Sequence, residues 1–138
     1  TAHRMIITHD AIRKGEKSTV LDIMKERHKT LMTSSIIARA LKKKDPALCK
    51  VLKRAQNYLG ILVANVVNIL DPQAVVIGGG VAERLQEEFV APIRETAYKY
   101  FLRQSGRERV KILPGKLGDN AGPLGAVVLA RRRLRLAD

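Results

Sequence analysis

Residues Pro46 to Leu70 constrain the fold more than any other part of this chain. Leu48, Val51, Leu52, Ala55, Leu59, Leu62, Val66 and Ile69 recur at three- and four-residue spacing without a break, the pattern of one long helix. Pro46 suits the first turn, where a missing amide proton leaves nothing unpaired, and Asp71-Pro72 stops the run. The first half carries Lys50, Lys53, Arg54 and Gln56 along one side, whereas Leu59 to Leu70 is apolar nearly all round. That second half is expected to be buried on several sides, with Asn65 and Asn68 hydrogen-bonded to neighbouring backbone.

The partners of this helix must come from the rest of the chain. Ala74-Val75-Val76-Ile77 is a short apolar run between turn signals and reads as a buried parallel strand. Gly78-Gly79-Gly80 follows at once and opens a helix through Val81, Leu85, Phe89, Val90 and Ile93, with Pro92 a candidate kink and Ser105-Gly106 its end. A second strand is expected from Val110 to Leu113, closed by Pro114-Gly115. Gly118 to Pro123 then makes a turn, and Leu124, Val127, Val128 and Leu134 carry a final helix. Upstream, residues 1–14 read as a helix ended by Gly15. Ser18 or Thr19 can cap a short helix through Val20, Ile23 and Met24. Thr33 and Ser34 can cap another through Ile36, Ile37, Ala40 and Leu41, ending near Asp45 with Lys42 to Lys44 at its negative end. The fold class is therefore α/β and helix-rich, without repeats or a flexible linker.

Composition narrows the function classes. The 138 residues, 46% of them apolar, suit one domain over 1–138. The longest apolar stretch, Ile61 to Leu70, is too short to cross a bilayer and no signal pattern opens the chain, so a soluble, cytoplasmic protein without a membrane partner is expected. Cys49 is the only cysteine and reads as a free structural thiol. The net charge of +13 favours polyanionic partners in general, but the cations are scattered and end in the basic run Arg131-Arg132-Arg133-Leu134-Arg135. With two Phe and three Tyr, and no helix-turn-helix, RNA-recognition or zinc-finger signature, a basic interaction module is a subordinate reading. His3, His9 and His28 have no cysteines nearby and match no zinc spacing, so no metal site is assigned. Asp10, Asp22 and Asp71 sit at helix surfaces or ends, and none is placed as a general base.

The three glycines are the part of the sequence with a chemical use. Without Cβ atoms a ligand can lie against the backbone, and the amides of a following helix favour negative charge. Ligands of open α/β sheets gather at the carboxyl ends of strands, where these glycines stand, and a nucleotide is the natural candidate. A tight turn with close helix packing is the competing reading. No Walker-type or spaced-glycine dinucleotide motif follows.

The whole run from Leu59 through Asp71-Pro72 to Gly78-Gly79-Gly80-Val81 closely resembles the ROK (repressor, open reading frame, kinase) family. The run Leu117-Gly118-Asp119-Asn120-Ala121-Gly122-Pro123-Leu124-Gly125-Ala126 resembles that family's closing motif, with Pro123 in place of a usually aliphatic residue. The resemblance implies an actin-like ATPase (ribonuclease H-like) fold, of which this chain would be part of the C-terminal lobe. It implies that Gly78, Gly79, Gly80 and Val81 touch ATP, that Mg²⁺ accompanies the phosphates, and that Gly122 and Gly125 allow close packing between lobes. Asp119 and Asn120 are equally well read as caps of the last helix. The family's aspartate-x-glycine-x-threonine phosphate loop, its catalytic aspartate and its cysteine-rich zinc loop do not occur in these residues, so no catalytic residue is assigned.

The expectation is thus part of an ATP-dependent, glucokinase-like hexose kinase, with a sugar-responsive transcriptional repressor of the same family as the alternative. Nucleic acid is a partner only in the second case. Two short strands cannot complete a five-stranded sheet, so open edges at Val75 to Ile77 and Val110 to Leu113 predict either a homo-oligomer such as a dimer or further chain that covers them.

Overall fold

The computed structural model describes residues 18–28 and 32–134. The helix expected over 1–14, with His3, His9 and Asp10, lies outside them. In chain order the elements are α1 (Val20–Glu26), α2 (Ser34–Lys42), α3 (Pro46–Leu70), β1 (Ala74–Ile77), α4 (Gly80–Leu85), α5 (Glu87–Lys99), β2 (Lys111–Pro114) and α6 (Ala121–Leu134). Single 3₁₀ turns precede β2 (Arg107–Arg109) and α6 (Gly118–Asn120).

The long helix forms over the predicted residues, with Pro46 in its first turn and Asp71 in left-handed conformation at its end. Its closest partner is α5. Gly60, Val63, Ala64 and Val67 are buried and join Phe89, Val90, Ile93 and Ala97 in one apolar cluster with Val110 and Ile112 of the sheet side. Gly60 lets the two helices meet, since a Cβ there would lie 2.5 Å from Thr96 Cβ and 2.8 Å from the Ile93 carbonyl oxygen. Pro92 leaves α5 unbroken. Lacking an amide proton, it cannot bond the Glu88 carbonyl four residues back. Gln56 of α3 supplies the missing donor, its Nε2 reaching Glu88 O at 3.3 Å and Phe89 O at 3.2 Å. The interruption falls instead at Gln86, whose φ of +46° separates α4 from α5.

A second cluster gathers Val20, Ile23, Ile36, Ile37, Ala40 and Leu48 where α1 and α2 meet the start of α3. Leu41 and Val81 pack against both clusters. Asp45 fastens this corner. Thr19 makes no side-chain cap for α1, while the Ser18 hydroxyl accepts from the amide of Val20, its first residue, at 3.2 Å; the Ser18 hydroxyl, the Thr19 hydroxyl and the Thr19 amide all donate to Asp45 Oδ2, and the Leu48 amide donates to Oδ1 at 2.8 Å. Asp45 thereby caps α3 rather than ending α2. Burial acts to raise its pKa, but these four hydrogen bonds outweigh burial and hold the carboxyl below its ordinary value.

β1 and β2 pair in parallel, with Val75 opposite Ile112 and Val76 opposite Leu113. One face lies on the helices; on the other, Val76 and Leu113 are exposed. The expectation of a buried strand is therefore met on one side only. Val110 and Ile112 turn their carbonyls away from β1, and α5 takes both: Tyr98 Oη donates to Val110 O at 3.1 Å and Arg94 Nε to Ile112 O at 2.9 Å. Filling these acceptors works against strand addition at that edge.

Burial on several sides does not hold for the second half of α3. Leu62, Ile69 and Leu70 are 56%, 79% and 70% exposed, because α5 covers a single stripe. Asn68 does find backbone partners, at Tyr100 and Leu102, whereas Asn65 is exposed. The last helix, α6, buries none of its residues. Cys49 is exposed, so its thiol is free but fills no core position.

Candidate functional site

The parallel pairing of β1 and β2 decides where the two glycine-bearing motifs lie. Both strands end on the same side, and the Gly115 amide donates to Ile77 O at 2.9 Å, setting the exit of β2 beside Gly78. Gly118, with φ +52°, then comes against α4: a Cβ there would lie 2.5 Å from Glu83 Oε1. The residues Gly78 to Val81 and the turn Gly118 to Asn120 thus form one cluster, 37 or more positions apart in sequence and adjacent in space. No spacing in the sequence announces the Glu83 contact.

The three glycines differ in what they do. Cβ atoms at Gly78 and Gly79 would meet nothing within 4 Å, so both backbones border open space. Gly79 also has φ +103°, which side chains rarely adopt. Gly80 instead abuts α2, with a Cβ there 3.1 Å from Ser34 Oγ. Ser34 Oγ in turn accepts from Arg84 Nε at 3.0 Å, so the start of α2 is tied to the last turn of α4. Val81 packs between the two apolar clusters and offers a ligand its backbone rather than its side chain. The helix that follows has only six residues, too short to add much of a dipole to the glycine amides.

The later turns of α2 and α4 and the start of α5 leave a cleft of about 420 Å³ lined by Ala38, Leu41, Lys42, Glu83, Arg84, Leu85 and Glu88, none of them one of the three glycines. Lys42, Glu83, Arg84 and Glu88 make it more polar than apolar, with Ala38, Leu41 and Leu85 between them. Asp119 and Asn120 stand exposed in the 3₁₀ turn and make no side-chain cap there. Gly122 and Gly125 do not pack closely against any of the described residues; Cβ atoms at either would meet nothing within 4 Å. Among the described residues no three His, Cys, Asp or Glu side chains gather as a metal site. His28 is exposed, with φ +49°.

The ROK family model matches residues 6–133, nearly the whole chain. The chain belongs to the ROK family. A glucokinase of Halalkalibacterium halodurans is 27% identical over 128 residues, covering 93% of this chain and 37% of that protein. A xylose repressor candidate of Caldicellulosiruptor sp. is 38% identical over 95 residues, 68% of this chain and 23% of that protein. Among solved structures, the ROK family glucokinase of Streptomyces griseus in complex with glucose and AMPPNP superposes with a TM-score of 0.63 at 28% identity, over 71% of this chain and 31% of that one. This ROK chain therefore shares part of its fold with a ROK sugar kinase and spans well under half the length of the relatives it matches. No described helix is long and apolar enough to cross a membrane.

Proposed function

We propose that this chain is the nucleotide-holding part of the C-terminal lobe of an ATP-dependent hexose kinase, with Gly78, Gly79 and Gly80 and the backbone of Val81 against the adenosine end of ATP. The observation that carries the reading is the open backbone surface at Gly78 and Gly79, at the carboxyl ends of both strands. A related glucokinase bound to glucose and a nucleotide analogue adds support. In this reading the chain positions ATP and excludes water from one side of it. Phosphoryl transfer rests largely on such positioning, with Mg²⁺ neutralising phosphate charge, and the described residues offer that ion no cluster of ligands of their own.

Gly78 is the site to test, because a change at Gly79 also strains a backbone with positive φ. In the intact protein, Gly78→Val should weaken ATP binding at least tenfold, about 1.4 kcal/mol, in a calorimetric titration. Glucose binding and the melting temperature should stay as in wild type. Unchanged ATP affinity would reduce the glycines to a packing turn. A second reading, a sugar-responsive repressor, is favoured by the relatedness to the xylose repressor candidate. Sugar-dependent binding to operator DNA without ATP turnover would select it.

A further inference from the structure

At the amino ends of β1 and β2, the loop that follows α5 folds over the end of α3. Asn68 fastens it, with Nδ2 donating to Tyr100 O at 3.0 Å and Oδ1 accepting from Leu102 N at 2.9 Å. Beneath the loop is a dent of about 240 Å³. Its floor is Val67, Phe101 and Val110, all nearly fully buried, and Arg103, Arg107 and Arg109 stand around it. Arg109 is held by Asp71 Oδ1. Arg107 bonds Glu108 and Gln104, each at 3.3 Å, and lies over the Tyr98 ring. Arg103 has no hydrogen bond or ion pair among the described residues. Three guanidinium groups against two carboxylates leave one positive charge uncompensated beside an apolar floor.

We propose that this dent binds a small monocarboxylate with an apolar body, its ring or branched chain on Val67, Phe101 and Val110 and its carboxylate on Arg103. The guanidinium fork of arginine matches a carboxylate in two parallel hydrogen bonds, and one free charge suits a monoanion better than a phosphate dianion. A concave apolar floor with few polar groups is the ordinary build of a small-molecule site. This site lies at the opposite ends of the strands from the glycines, about 13 Å away along four residues of strand, so it does not depend on the nucleotide reading.

Benzoate is the probe, titrated into the 138-residue chain while the backbone amides of Phe101 to Val110 are followed by NMR. Benzoate should shift them saturably, with acetate and benzyl alcohol each binding at least fivefold more weakly because one lacks the apolar body and the other the charge. Arg103→Ala, which removes no hydrogen bond or ion pair among the described residues, should weaken benzoate about fivefold, near the upper end for an exposed ion pair, and leave benzyl alcohol unaffected. The proposal is overturned by an absence of saturable shifts, by equal binding of acetate or benzyl alcohol, or by an Arg103→Ala chain that binds benzoate like wild type.

Discussion

Gly60 and Gly125 both sit inside helices, and the structure uses only one of them. At Gly60 the α3–α5 seam is so tight that a Cβ would collide with Thr96 and the Ile93 carbonyl. At Gly125 a Cβ would meet nothing, and the apolar side chains around it, Leu124, Val127, Val128 and Leu129, are about half exposed. A helix-interior glycine costs about 1 kcal/mol relative to alanine wherever nothing compensates. In the seam, close packing offsets that cost. In α6 none of the described residues does, so the first region is a finished core and the second an uncovered apolar surface.

The sharpest way to break this contrast is to fill the two glycines. Gly60→Ala should destabilise the chain by about 2–3 kcal/mol in urea unfolding, since overpacking against backbone outweighs the gain in helix propensity. A neutral result would mean that the seam is looser than its geometry. Next comes the amide that serves Pro92. Gln56→Leu should cost about 1 kcal/mol by leaving the part-buried Glu88 carbonyl without its donor. In a Pro92→Ala background, where residue 92 regains its own amide proton, the same change should cost clearly less. A double-mutant cycle with no coupling would remove Gln56 from this role.

Asp45 sharpens the comparison at the other edge of the finished region. Its folded pKa lies below the unfolded value of about 3.9, so its contribution is present above that pH and lost as pH falls through the folded value. The stability difference between wild type and Asp45→Asn, about 1–2 kcal/mol, should therefore be flat from neutral pH to about pH 5 and shrink below about pH 4. A difference that grows on acidification would reverse the sign argued here. The smallest effect belongs to α6: Gly125→Ala should stabilise the isolated chain by up to about 1 kcal/mol. In the intact protein the same change should be neutral or harmful if a partner packs on that face, and calorimetry of both forms separates the two cases.

How much could be read in the sequence varied with the range of the interaction. The bounds of α3, both strands and the start of the glycine turn were legible, because apolar spacing, Pro46 and Asp71-Pro72 act within a few residues. The break at Gln86 was not, since Pro92 gave a louder local signal and its lost hydrogen bond is restored by Gln56 from 32 residues away. Ser18 and Thr19 looked like caps for the helix they precede, yet they bind a carboxylate 26 and 27 residues on. For the candidate site, the three glycines stood out by type alone, whereas Glu83 against Gly118 and Ser34 under Arg84 left no trace in spacing.

By itself the sequence determined the elements, the family and the place of the glycines after a strand, because backbone preference and apolar period are local properties. Only the tertiary structure decided which apolar faces are covered and which glycines border open space rather than a neighbour. Apolar content makes a helix eager for burial without saying which partner reaches it. Gly78 and Gly80 are identical in sequence terms, and only the approach of Ser34 makes one a packing contact while the other borders open space.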